Sequence, residues 1–160
     1  MAAANNQYKS YDNGGIIVLP VKAASKIYDG TPVGRDGSGA ARALVAGDAY
    51  AGWNMNGDRD NSAGLVGAIT AKLNAVAFPE LTVTGVTGVE DQGKPVYATA
   101  DDTFTLACGV RGASTCIGKV YRYVSTGIAV VRCDVLDDVE ANYTHAMPFF
   151  NDTATTEIYT

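Results

Sequence analysis

Residues 81–135 read LTVTGVTGVEDQGKPVYATADDTFTLACGVRGASTCIGKVYRYVSTGIAVVRCDV. Short apolar runs alternate with turn residues at nearly even spacing, the pattern of a β-meander. In 103–107 (TFTLA), Phe104 and Leu106 fall on one side and Thr103 and Thr105 on the other, as a half-buried strand requires. The run 94–98 (KPVYA) precedes it, across the turn tetrad 99–102. After a small-residue loop, 117–124 (IGKVYRYV) resumes the β pattern, with Gly118 at a candidate bulge. Residues 125–127 (STG) read as a three-residue hairpin loop. The chain returns as 128–135 (IAVVRCDV), with Ala129, Val131, Cys133 and Val135 on one face and Val130, Arg132 and Asp134 on the other. β-Branched and aromatic side chains dominate these runs.

Outside this stretch the pattern is weaker. Residues 16–21 (IIVLPV) read as a strand that Pro20 confines to an edge. Residues 26–28 and 47–53 read as further short strands, Tyr50 and Trp53 being the large packing groups of the second. Residues 65–78 fit a helix or a long strand equally on periodicity alone. The expected fold is all-β: a compact antiparallel β-barrel or β-sandwich of seven to nine short strands. The expected organisation is a flexible N-terminal arm (1–15), one β-domain (16–136) and an acidic, disordered tail (137–160).

The 160 residues suffice for one domain with a real core, and 18 glycines suit short strands and tight turns. The net charge of −5 argues against nucleic acid as a partner, because phosphate binding needs a basic surface. Five of the 17 acidic residues lie beyond residue 136, where there is no Lys or Arg. The first ten residues (MAAANNQYKS) have no apolar secretory core, and no apolar run reaches a bilayer span, so a soluble protein made in a cytoplasm is expected. Cys108, Cys116 and Cys133 are odd in number and form no CxxC motif, which reads as free thiols in a reducing compartment.

Catalytic patterns are absent from the sequence. His145, the single histidine, lies in the acidic tail, and there is no GxSxG, HExxH or Walker loop. Glu90, Asp91 and Asp101 would suggest acid–base chemistry if they shared one pocket. Asp58, Asp60 and Ser62 begin with EF-hand spacing, but Ala63 and Ile69 stand where that loop needs Gly and Glu. The expectation is no enzyme, no cofactor and no metal. Candidate partner contacts are Gln7, Tyr8 and Tyr11 in the arm, with Asn54, Asn56, Asp58, Arg59 and Asn61 in the most polar internal loop.

The segments GVTGVEDQGKPVYATADDTFTLA and IGKVYRYVSTGIAVVRCD resemble the capsid cement (head decoration) proteins of tailed bacteriophages. Gly85 to Gly88, Asp91 to Ala98, Asp102 to Leu106 and Ile117 to Val120 fill that family's pattern, and residues 58–64 (DRDNSAG) followed by a strand are similar to it too. The likeness runs over about residues 14–135. It implies that residues 65–78 are β. It also implies a structural virion protein on the capsid exterior, clamping neighbouring major capsid protein subunits as a homotrimer, with no nucleic acid or membrane partner. The alternative is a phage tail or adhesin β-module that binds surface glycans through exposed aromatics, Trp53 with Tyr50 or Tyr121 with Tyr123. Residues 149–160 (FFNDTATTEIYT) look like a translated sequencing adapter, which would place the natural end near Pro148 or earlier.

Overall fold

The computed structural model describes residues 15–65, 68–110 and 112–135. Within them the chain is all-β, with thirteen strands and one single-turn 3-10 segment. The first five-stranded sheet has the order β1 (Ile16–Pro20), β7 (Thr70–Asn74), β5 (Ala49–Asn54), β3 (Thr31–Arg35), β4 (Ala41–Ala43), antiparallel throughout. β2 (Ser25–Ile27) and β6 (Arg59–Asn61) form a separate ribbon.

The second sheet closes on itself. β12 (Thr115–Ser125) pairs with β10 (Pro95–Ala100), which pairs with β11 (Thr103–Thr105). β11 pairs with β9 (Glu80–Thr84), β9 with β13 (Ile128–Asp134), and β13 with β12. The result is a small five-stranded barrel in which β9–β11 is the parallel pair. β8 (Val76–Ala77) is added outside the ring, on β13.

Two apolar cores follow. The barrel core holds Leu44, Tyr50, Trp53, Val96, Phe104, Ile117, Val120, Ala129, Val131 and Cys133 among others. The first sheet buries a smaller set: Val21, Ile27, Val33, Ala41, Ala51, Ala71 and Leu73. β5 serves both. Its Tyr50 and Trp53 enter the barrel core while Ala51 turns to the other. A bulge allows this, because the register with β3 slips between Val33 and Gly34, and Gly52 takes φ +140° opposite it. Buried Thr115 then ties the halves: its hydroxyl donates to the Asp48 carbonyl at 2.7 Å and accepts from the Gly47 N–H at 3.2 Å.

The face assignments in residues 103–107 and 128–135 hold: Phe104, Ala129, Val131 and Cys133 are buried, and Leu106 and Val135 pack against the barrel core. The bulge at Gly118 is present, since the β10–β12 register slips there. A Cβ on Gly118 would collide with the Arg132 carbonyl oxygen. Two expectations change. The strands exceed nine because β4, β6 and β8 have only two or three residues, too few to leave an alternation in sequence. The hairpin loop is Thr126–Gly127 alone, because Ser125 pairs with Ile128 and Gly127 takes φ +79°. Residues 65–78, open on periodicity but expected as β from the resemblance, do contain strands β7 and β8 in their described part. The arm and the acidic tail lie outside the described residues.

Candidate interaction surfaces

The polar loop after β5 is built around Asn54. Its side chain is fully buried, and its Nδ2 donates to the carbonyls of Tyr28 and Gly57, both at 2.9 Å. Its Oδ1 accepts the Asn56 N–H at 3.3 Å. Two aspartates lock this loop to the preceding turn: Asp29 accepts from the Gly57 N–H at 3.1 Å, and Asp58 accepts from the Asp29 N–H at 2.9 Å. Asn56 Nδ2 reaches the Lys72 carbonyl at 2.7 Å, and Arg59 donates to the Asn56 carbonyl at 3.1 Å. Asn61 is buried too, its amide converging on the carbonyls of Val21, Lys22 and Leu65. Gly64 is required beside it, because a Cβ there would overlap Asn61 Oδ1.

The five loop candidates therefore divide. Asn56 and Asp58 are exposed and available to a partner, and Arg59 is half-buried. Asn54 and Asn61 present no side chain to solvent; buried amides with their polar atoms bonded fix backbone shape instead. Gln7, Tyr8 and Tyr11 lie outside the described residues. Around the loop, exposed Tyr28 and Met55 add apolar area, and Lys26 sits 4.8 Å over the Tyr28 ring and 3.9 Å from Asp58. Nothing in an asparagine's type separates these roles in sequence. Its burial depends on β2 and β6 meeting across 36 positions of chain, as in the Ser25–Asn61 pair.

The acidic candidates are held for structure. Asp91 is buried, accepts the Thr87 and Gly88 N–H groups at 2.7 and 3.2 Å, and pairs with Lys94 at 2.7 Å. Lys94 foremost, then the Thr87 N–H, holds its carboxyl well below the usual carboxylate range. Burial foremost, then neighbouring Asp102, raises the Asp101 carboxyl. Glu90 is exposed. In the loop with EF-hand spacing, Asp60 accepts both the N–H and the hydroxyl of Ser62, an Asx turn. Among the described residues no group of three His, Cys, Asp or Glu is placed to hold a metal ion. None of the three cysteines is in a disulfide; Cys108 is exposed and the others are buried. His145 lies outside the described residues.

Trp53 is 3% exposed and Tyr50 2%, so neither supplies an exposed ring. Burial raises the Tyr50 hydroxyl well above its usual range. Tyr123 packs against the barrel core, whereas Tyr121 is exposed and meets Phe78 edge-on, ring centroids 5.1 Å apart. Sequence reading had no means of finding Phe78, which is brought to Tyr121 by the β8–β13–β12 pairing.

Among the described residues, the first sheet ends in an open edge. β1 pairs with β7 on one side, through the register Ile16–Asn74 to Pro20–Thr70. On the other side a bridge from Val21 to Ala41 covers only its C-terminal end. Ile16 and Val18 stand 47% and 54% exposed on this strand, which carries no charge and is blunted by Pro20 alone. Edges of this kind pair with added strands. No protein-family model and no curated protein matches this chain.

Proposed function

We propose that this chain is a structural virion protein that binds the outer surface of an expanded phage capsid and clamps neighbouring major capsid subunits. The observation that carries the reading is the uncharged β1 edge, open among the described residues and with Ile16 and Val18 exposed, beside a loop held rigid by Asn54 and Asn61. A stabilising protein needs stiff contact surfaces rather than moving catalytic groups, and both features supply them. The resemblance to cement proteins adds support: its segments fall on β10, β11 and β12 and on the turn before them. A homotrimer on the capsid exterior, with the arm residues Gln7, Tyr8 and Tyr11 as further contacts, belongs to the same proposal. Several copies would multiply weak contacts through avidity.

The test is co-sedimentation with expanded shells of the source phage that lack this protein. Saturation at a fixed ratio to capsid subunits, with shells surviving hotter incubation, is expected. Folded protein that fails to bind competent shells would sink the proposal.

A further inference from the structure

A single alternation crosses from the first sheet to the barrel. From Thr70 to Phe78, residues 71, 73, 75 and 77 are buried while 70, 72, 76 and 78 are exposed. The outward side of this run therefore continues from β7 onto β8 although the two strands belong to different sheets. The junction is fixed by Ala75, whose N–H donates to the Gly15 carbonyl at 3.2 Å and whose carbonyl accepts the Val135 N–H at 3.2 Å.

Exposed apolar groups line up along it. Ile16 is registered with Asn74, two residues before Val76. Val76 is followed on the same side by Phe78, which touches Tyr121. Phe78 and Tyr121 are 53% and 59% exposed, far above what packing rings show. Together with Val18 they form a stripe that begins at the open edge and ends on the barrel's longest strand. A row of exposed apolar groups on one water-facing side points to a binding site more than scattered single groups do. Aromatic anchors are what protein interfaces favour.

Charge selects the partner. Lys72 flanks the stripe on β7, and Lys119 and Arg122 flank it on β12. None of the three has an ion-pair partner among the described residues. Lys119 also stands directly across from Arg132, a like-charge pair that a sheet tolerates at some cost. Arg132 is paired with Asp134 at 2.9 Å, and Glu80 is the free acid nearby, across from Val130. On a chain of net charge −5, three cations without an ion-pair partner thus border the apolar stripe, while Arg35 and Arg59, likewise outside any ion pair among the described residues, lie on β3 and β6. A second copy meeting this face with the same face would set cation against cation.

We propose that this stripe is a docking surface for a different protein, one presenting acidic side chains around an apolar centre. The proposal deepens the clamp reading by assigning the surface that meets the capsid subunit. Nucleic acid is disfavoured because the whole chain is acidic and the two rings meet at 70°, offering no flat stacking platform.

The test uses the full chain, isotope-labelled, in NMR titrations. The probes are a synthetic peptide alternating Asp with Val and Phe, its Lys counterpart, an oligothymidylate, and the protein's own dilution series. The acidic peptide is expected to shift Ile16, Val76, Phe78 and Tyr121, and the Lys peptide to leave them unmoved. Lys119→Glu/Arg122→Glu should weaken acidic-peptide binding at least tenfold with an unchanged melting curve, and so should Phe78→Ser/Tyr121→Ser. Val89→Ser, an exposed apolar site on the 3-10 turn, should change nothing. Equal binding of both peptides, stronger binding of the oligothymidylate, or shifts that follow self-association would each overturn the proposal. The same variants are then sedimented with expanded shells. Wild type that binds the acidic peptide but no shells removes the capsid reading and leaves the surface standing. Wild type that binds shells as well as both double variants do removes the surface and leaves the capsid reading.

Discussion

The two halves of this molecule solve the edge problem in opposite ways. The barrel joins β12 to both β10 and β13, so its ring of strands has no open side, and it gathers Trp53, Phe104 and Ile117 into one core. Among the described residues the first sheet stays open at β1, and it is filled mainly by alanines and valines, with Leu73 and Ile27 the large members. Burying a Leu, Ile or Phe side chain contributes roughly 1.5–3 kcal/mol, so the barrel holds the larger share of apolar stabilisation. The closed half is the scaffold, and the open half carries a surface that can accept more chain.

The largest break in that comparison comes from the cores. Trp53→Ala should cost about 3–5 kcal/mol, because it removes a large buried ring that packs from β5 into the barrel core beside Phe104. Leu73→Ala should fall toward the lower part of the about 2–5 kcal/mol range for such changes, because an open sheet relaxes. Urea unfolding of both variants decides it. A Leu73→Ala loss equal to that of Trp53→Ala would mean the halves share one rigidity.

Asn61→Ala comes next. It leaves the carbonyls of Val21, Lys22 and Leu65 without their donor, and about 1–3 kcal/mol should be lost. Hydrogen exchange should show the loosening in β2 and β6 while β12 and β13 keep their protection. Equal loss of protection in the barrel would argue against separable halves.

Asp91→Asn probes the barrel side by pH. Lys94 and then the Thr87 N–H hold the folded carboxyl below its unfolded value of about 3.9. The stabilisation is therefore complete above that value and declines as pH falls through the folded one. Thermal melts should show wild type above the variant by a few degrees at pH 7, the gap narrowing below about pH 4. A gap independent of pH would show that hydrogen-bond geometry, not charge, is what the residue supplies.

The smallest expected effect on stability is Val18→Lys, within about 0.5 kcal/mol because the side chain is exposed. Its effect belongs to association: a charge on an edge strand discourages strand addition. Unchanged shell binding in the co-sedimentation assay would remove the β1 edge from the proposed contact.

Residues 81–135 were readable as β because period-2 alternation, β-branched content and glycine turns agree there. Residues 65–78 were not, since alanines dilute the pattern and the kink at Ala75 divides one run between two sheets. The polar loop was found as a loop, yet the division of its asparagines into buried braces and exposed contacts was invisible. That division depends on which distant carbonyls come within reach.

Local chemistry in the chain by itself determined the class of fold, the buried faces of β11 and β13, the bulge at Gly118 and the polar character of the 54–64 loop. These follow from side-chain period and from a backbone approach close enough that only a residue without a Cβ fits. Tertiary structure decided the rest: closure of the barrel through a parallel β9–β11 pair, the sharing of β5 between two cores, and the meeting of Phe78 with Tyr121. Each of these joins residues far apart in sequence. Such pairings are selected by the total burial they permit, which no local window of sequence contains.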